Sequence, residues 1–249
     1  MRTYKLLALT AATLLPMLAS AGDLAAMIHS GDRSAALAAI RDGANVNALQ
    51  NDGSSPLLWA VYKVDYELVE ALLKKGAKPD LANALGATPL NEAITVADEK
   101  MTFMLLKAGA NPNLGNADDE TPLMLAARVS SLPIAQALVK AGAKVNQREK
   151  YRNQSALMWA VDSRSAAITD LLIQHKAEVD FRAAENDWGN QITSEPRAQY
   201  RETGGLTPLL YAARSGCVEC IKSLVKARRE RRSPDTRWRH AADDRDRQQ

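Results

Sequence analysis

A three-residue signature recurs along this chain at nearly constant spacing, and it decides what the chain can fold into. Ser55-Pro56-Leu57, Thr88-Pro89-Leu90, Thr121-Pro122-Leu123, Ser155-Ala156-Leu157 and Thr207-Pro208-Leu209 are copies of one pattern. Each is followed three residues later by alanine, at Ala60, Ala93, Ala126, Ala160 and Ala212. Thr88 and Thr121 lie 33 residues apart, a period at which a single unit is too small to bury its apolar face alone and must stack on its neighbours. A second marker keeps the same beat. Gly43-Ala44, Gly76-Ala77, Gly109-Ala110 and Gly142-Ala143 each lead into an Asn/Asp marker, a pair in Asn45-Val46-Asn47 and Asn111-Pro112-Asn113 and a second-place Asp80 or Asn146 in the others, and Lys176-Ala177 replaces Gly-Ala in the fifth unit.

The physics of one unit can be read directly. Ser or Thr caps a first helix, and Pro takes the first helical position, where a missing N–H costs nothing. The alanines that follow let neighbouring helices approach closely. A second helix carries apolar residues at helical spacing, Leu68, Val69, Leu72 and Leu73 in one unit and Phe103, Leu105 and Leu106 in the next. Glycine then ends that helix in the left-handed region. Composition agrees: 46% of the residues are apolar but only 5% aromatic, with alanine and leucine dominant, as close-packed helices require.

On these markers the sequence resembles the ankyrin-repeat family from about Asp23 to Ala227. The resemblance implies an all-α solenoid of stacked helix–turn–helix units with about six repeats. An N-terminal capping repeat at roughly 23–50 lacks the signature; full repeats follow at about 51–83, 84–116, 117–149 and 150–183, and a sixth begins near Gly205. Between the fifth and sixth lies an insertion, Ala184 to Gly204, rich in polar and turn-forming residues.

The N-terminus has its own logic. Arg2 and Lys5 precede an apolar stretch from Leu6 to Leu18 and then Ala19-Ser20-Ala21, the charge, core and small-residue pattern of a secretory signal peptide over 1–21. The stretch is short for a membrane helix and Pro16 breaks it, which disfavours a retained anchor. Cleavage after Ala21 is expected to leave a mature protein beginning at Gly22, secreted and, in a Gram-negative cell, periplasmic, with no later membrane insertion.

The net charge of +3 does not point to nucleic acid. Two basic residues lie in the signal segment, and 228–249 holds eight Arg against five acidic residues. The body between them keeps 22 basic and 24 acidic residues. No basic stripe of the kind a phosphate backbone requires is left.

Chemistry-bearing motifs are few. Cys217-Val218-Glu219-Cys220 sits where the sixth repeat turns from its first helix into its second, with Cys220 at an inward-facing position. The pair reads as structural small residues, as a local disulfide, or as a redox couple, the last without the βαβ setting that thioredoxin-like chemistry uses. His29, His175 and His240 are scattered, no cluster has metal-ligand spacing, and acidic runs such as Asp118-Asp119-Glu120 lie in turns. An enzyme, a metal or a cofactor is not expected. Trp59, Trp159 and Tyr211 share one repeat position and read as packing between units.

The family resemblance places binding on the turns and the exposed ends of the first helices. There the chain carries Tyr62 and Lys63, Thr95 and Val96, Arg128 and Val129, Asp162 and Ser163, and Arg214 and Ser215. The turns add Asn51, Ser54, Glu120, Tyr151 and Gln154. Tyrosine and arginine are the residue types that dominate interface hot spots. The insertion adds Trp188, Arg197 and Tyr200; a connection of this length is usually functional or disordered, and its aromatics favour a loop that enlarges the binding surface over a merely tolerated one. The expected function is therefore non-enzymatic binding of a protein partner by a monomer. Two alternatives are an immunity or inhibitor protein against a periplasm-acting toxin, and a thiol-redox protein using Cys217 and Cys220.

The tail breaks the pattern. After Lys226-Ala227, where Gly-Ala-Asn should follow, the chain reads RRERRSPDTRWRHAADDRDRQQ, which has no apolar helical face. Read one base later, with permitted codon choices, Arg228 to Arg232 yields GANVD and the end of the chain yields DGVTPLMIAIDN. These are the two missing markers. An extra base near codon 227 is the expected cause, and 228–249 are expected to be disordered.

Overall fold

The computed structural model describes residues 23–184 and 205–232. Residues 1–22, on which the expected signal peptide falls, Trp188, Arg197, Tyr200 and the chain beyond Arg232 lie outside the described residues. Six helical pairs follow one another: α1 (Leu24–Ser30) with α2 (Arg33–Arg41), α3 (Pro56–Tyr62) with α4 (Tyr66–Lys74), and α5 (Pro89–Thr95) with α6 (Glu99–Lys107). Then come α7 (Pro122–Arg128) with α8 (Leu132–Lys140), α9 (Ala156–Asp162) with α10 (Ala166–Gln174), and α11 (Pro208–Ser215) with α12 (Val218–Arg232). First helices pack on first helices in an unbroken row from α1 to α11, and second helices form a parallel row behind them. This is the all-α repeat solenoid that the signature spacing implies.

The caps form as their residue types dictate. Ser55, Thr88, Thr121 and Thr207 accept from the backbone amides of Leu58, Asn91, Met124 and Leu210, and each is followed by proline in the first turn. Ser155 makes no such bond. Asp65 and Asp98 cap the second helices in the same way, each cap being worth about 1 kcal/mol. Behind them one side is filled by Leu72, Leu105, Leu138 and Leu172, all fully buried. Phe103, counted from the sequence among the inward residues of its helix, is 42% exposed, because it occupies the solvent-side position that Glu70 holds one repeat earlier.

Two rows of polar contacts tie the repeats together. Asn47 donates from Nδ2 to the Gly76 carbonyl at 3.1 Å and accepts at Oδ1 from the Lys78 amide at 2.8 Å. Asn113 does the same to Gly142 and Lys144, and Asn146 to Lys176 and Glu178. The second residue of each Asn/Asp marker is thus a clamp on the next unit. The turns make the other row, each giving one backbone bond to the next: Ala84 N–H to the Asp52 carbonyl at 2.7 Å, Ala117 to Leu85 at 3.2 Å, Lys150 to Asp118 at 3.0 Å and Ala184 to Arg152 at 2.7 Å.

The bend between paired helices was not visible in the pattern. Gly31 and Gly216 make it in the first and sixth repeats, but Val64, Ala97, Ser130 and Arg164 take the same left-handed conformation at φ between 55° and 57° in the four repeats between. A β-branched residue there is strained. Val64 is exposed, so Val64→Gly removes strain without emptying the core and should raise stability by about 1 kcal/mol in urea denaturation. An unchanged or lower midpoint would show that the valine is tolerated without cost.

The last helix departs from expectation. α4, α6, α8 and α10 are each nine residues long, whereas α12 runs for fifteen. It passes the boundary expected at Ala227: Arg228 stands where Gly76, Gly109, Gly142 and Lys176 turn left-handed after their helices, but remains within α12. Residues 228–232 are therefore helical rather than disordered. Arg228 pairs with Asp180 at 3.0 Å, and Arg231 donates to the Ala177 carbonyl at 2.6 Å.

Candidate partner-binding groove

Turns and first helices together line one face, and two recesses open on it, each floored by a half-buried tryptophan. The one nearer the N-terminus has a volume of about 390 Å³ and is lined by residues of the first three repeats. His29 from α1 lies on Trp59 with ring centroids 4.0 Å apart, and Tyr62 meets the same indole edge-to-face at 5.7 Å. Trp59 is held in place by its Nε1–H, which donates to Gln50 Oε1 at 2.8 Å. Leu85, 75% exposed at a turn tip, and Glu92 complete the recess. Burial raises the Glu92 carboxyl above the usual carboxylate range, and no ion pair reaches it among the described residues.

The second recess, of about 220 Å³, lies over repeats four to six and is dominated by arginine. Arg128 sits 5.5 Å from the centre of the Trp159 ring and 3.9 Å from Glu120. Arg214 pairs with Asp162 at 3.0 Å and covers Tyr211 at 4.7 Å. Arg152 enters from the turn, exposed. Trp159 lacks the partner that Trp59 has: its Nε1–H is buried with no acceptor among the described residues. The cause is local. Glu149 occupies the place of Gln50 but spends both carboxylate oxygens on the amides of Tyr151, Arg152 and Gln154, at 2.7 to 3.1 Å, in a turn one residue longer than the others.

The structure thus brings Arg128, Asp162 and Arg214 together in one recess and puts Tyr62 in the other. Lys63 lies 5.9 Å over the Tyr62 ring. Tyr151 stands at the tip of the long turn, 77% exposed. Thr95 is exposed, with its hydroxyl donating back to the Asn91 carbonyl at 2.9 Å. Ser54, expected on the turn surface, is buried, because its amide and hydroxyl both bond to Asp52. The sequence reading missed His29, Leu85, Glu92 and Arg152. It also read Trp59 and Trp159 as packing rather than as a ligand platform, although their recurrence with Tyr211 at one repeat position was the available signal. Tyr211 does pack, buried, its hydroxyl accepting from Gln154 Nε2.

Cys217 and Cys220 are joined by a disulfide. Cys217 takes the cap position that Asp65 and Asp98 hold in earlier repeats, and its sulfur accepts from the Cys220 amide at 3.3 Å. Cys220 is fully buried, 3.7 Å from the Thr169 hydroxyl. The bridge closes a short loop, so reducing it should lower stability by about 2 kcal/mol. Cys220→Ser should cost a similar amount in thermal melts, with no insulin-reduction activity in either protein. Exchange activity lost in the variant would instead assign the pair a redox role.

Among the described residues no group of three His, Cys, Asp or Glu could hold a metal ion, and no helix is long and apolar enough to cross a membrane. Stacked helical hairpins with an open, charged and aromatic face define a repeat scaffold for binding. The ankyrin-repeat family model in three copies matches residues 23–116 and 95–183, and the single ankyrin repeat matches 204–235. The chain belongs to the ankyrin-repeat family and is a protein–protein interaction module. No curated protein matches it.

Proposed function

We propose that this protein is exported to the periplasm and there binds, without catalysis, a protein segment laid along its groove. The observation that carries the reading is the pair of tryptophan-floored recesses on one face. Arg128, Arg152 and Arg214 suit an acidic side chain of the partner, because a guanidinium fork pairs with carboxylate bidentately. The recess of His29, Trp59 and Tyr62 suits an apolar or aromatic one. A rigid repeat surface loses little freedom on association, which leaves more of the contact energy as affinity. Export rests on the basic, apolar and Ala-Ser-Ala pattern of residues 1–21. Residues 184–204 contribute to binding in this reading, through Trp188, Arg197 and Tyr200.

Capture from periplasmic extract, followed by affinity measurement on the partner recovered, tests it. Arg128→Ala and Tyr151→Ala should each weaken binding about 30-fold, the effect of a hot spot worth about 2 kcal/mol, with the melting temperature unchanged. Lys74→Glu, on the second-helix side, should leave affinity intact. The reverse pattern would move the site to the other face. Protein from the native host beginning at Met1 rather than Gly22 would remove the periplasmic part of the proposal.

A further inference from the structure

Each inner repeat buries the same four positions, most of them apolar, towards the next one. In the fifth repeat they are Leu157, Met158, Val161 and Thr169, all buried. The second, third and fourth repeats bury the matching residues as completely, so these positions are the standing interface between units. In the sixth repeat they are Leu209, Leu210, Ala213 and Ile221, still apolar. Here Leu210 is 45% exposed, Ala213 is exposed, and Leu209 and Ile221 are only half-buried. A terminal repeat that keeps its stack soluble carries a polar outer face. This one carries an interior face.

The joint before it, between the fifth and sixth repeats, is also unfinished. Asn47, Asp80, Asn113 and Asn146 each accept at Oδ1 from a backbone amide of the following repeat. Asp180 holds the same place in the fifth repeat, but meets the Arg228 side chain instead. The glycine that follows α2, α4, α6 and α8 is missing at 228, and α12 runs on.

We infer that the Leu209–Leu210–Ala213–Ile221 face is a repeat–repeat interface and that its occupant is a seventh ankyrin unit, encoded in the next reading frame of the tail. The register supports that occupant. Read one base later with permitted codon choices, the tail places glycine at 228, four residues after Leu224, as Gly76 follows Leu72. It places threonine of a Thr-Pro-Leu signature at position 240, 33 residues after Thr207. One residue leaves no codon choice: tryptophan has a single codon, whose last two bases force a glycine when read one base later. For Trp238 that glycine falls two residues before the signature threonine, where Gly53 and Gly86 stand before Ser55 and Thr88. A charged tail unrelated to the repeats would not supply glycine, signature and spacing together.

Sequencing the gene through this region tests the occupant, and two full-length proteins test the face. One is the chain as it stands; the other carries the next-frame translation from position 228 onward. The gene should continue in the next frame through the rest of an ankyrin unit. The second protein should melt about 5 °C or more higher, show a larger denaturant slope and stay monomeric, whereas the first associates as its concentration rises. Leu210→Glu should relieve association in the first and lower the melting temperature of the second. A stop codon directly downstream in that frame overturns the inference, as do equal melting temperatures and slopes. A discrete dimer of the first protein that persists on dilution and is abolished by Leu210→Glu would assign the face to a second copy instead.

Discussion

Leu138→Ala is expected to cost about 3–5 kcal/mol, the largest effect of any single truncation proposed for this protein. Leu138 is fully buried in α8, which packs on α6 before it and α10 after it. Removing its isobutyl group therefore empties space shared by two interfaces. The flanking second helices are held by their own packing, so little can move in to fill the void. A solenoid has contacts only between neighbours, so the damage stays local in space but not in cooperativity. Weakening the middle joint should let the first three repeats and the last two unfold separately. Denaturation followed by hydrogen exchange should then show two transitions in the variant and one in the parent. Val139→Ala, next in sequence but half-buried, should cost about 1 kcal/mol and leave a single transition. Equal losses at 138 and 139 would show that the row of buried leucines does not carry the coupling.

What the sequence made legible and what it hid differ in a physical way. The signature, the proline after each cap and the glycines that end second helices were readable because each residue type answers a local backbone need. Ser55, Thr88 and Gly76 do what their chemistry dictates wherever they occur. The bend between paired helices was unreadable because Val64, Ala97, Ser130 and Arg164, all exposed, adopt it against their preference where the helices on either side pack together. The Asn/Asp markers were visible as a beat, but the partner of Asn47 lies in the next repeat, and only the stacked structure shows the clamp. At the candidate site, Arg128, Asp162 and Arg214 could be chosen from helix ends. Their convergence beside Trp159 could not, since they come from three successive repeats and meet only in the stacked structure. The same holds for His29, which reaches the groove from a capping repeat that lacks the signature.

Gly86→Ala is expected to cost about 3 kcal/mol, several times what a glycine at a helix end should cost. Gly86 stands in the turn before the third repeat at φ +73°. A methyl group there would lie 2.5 Å from the Ala117 nitrogen and 2.9 Å from the Asn116 carbonyl carbon, both backbone atoms of the next turn. Those atoms cannot rotate aside as a side chain could. They are also committed, because the Ala117 amide donates to the Leu85 carbonyl at 3.2 Å in the row of bonds that joins the turns. The variant must therefore accept the left-handed strain and either overpack the joint or break that bond. Gly76→Ala isolates the first effect: its φ is +84°, but a methyl group there meets nothing within 4 Å, so it should cost only about 1 kcal/mol. Urea denaturation of the two variants measures the difference, and equal losses would mean that the turns are not as closely stacked as their bonds imply. The change should also reach the groove. Leu85 and Ala87, on either side of Gly86, line the aromatic recess, so separating the turns should widen it and loosen the seat of Trp59 and Tyr62. Tryptophan fluorescence of Gly86→Ala, but not of Gly76→Ala, should then shift to the red in the folded state.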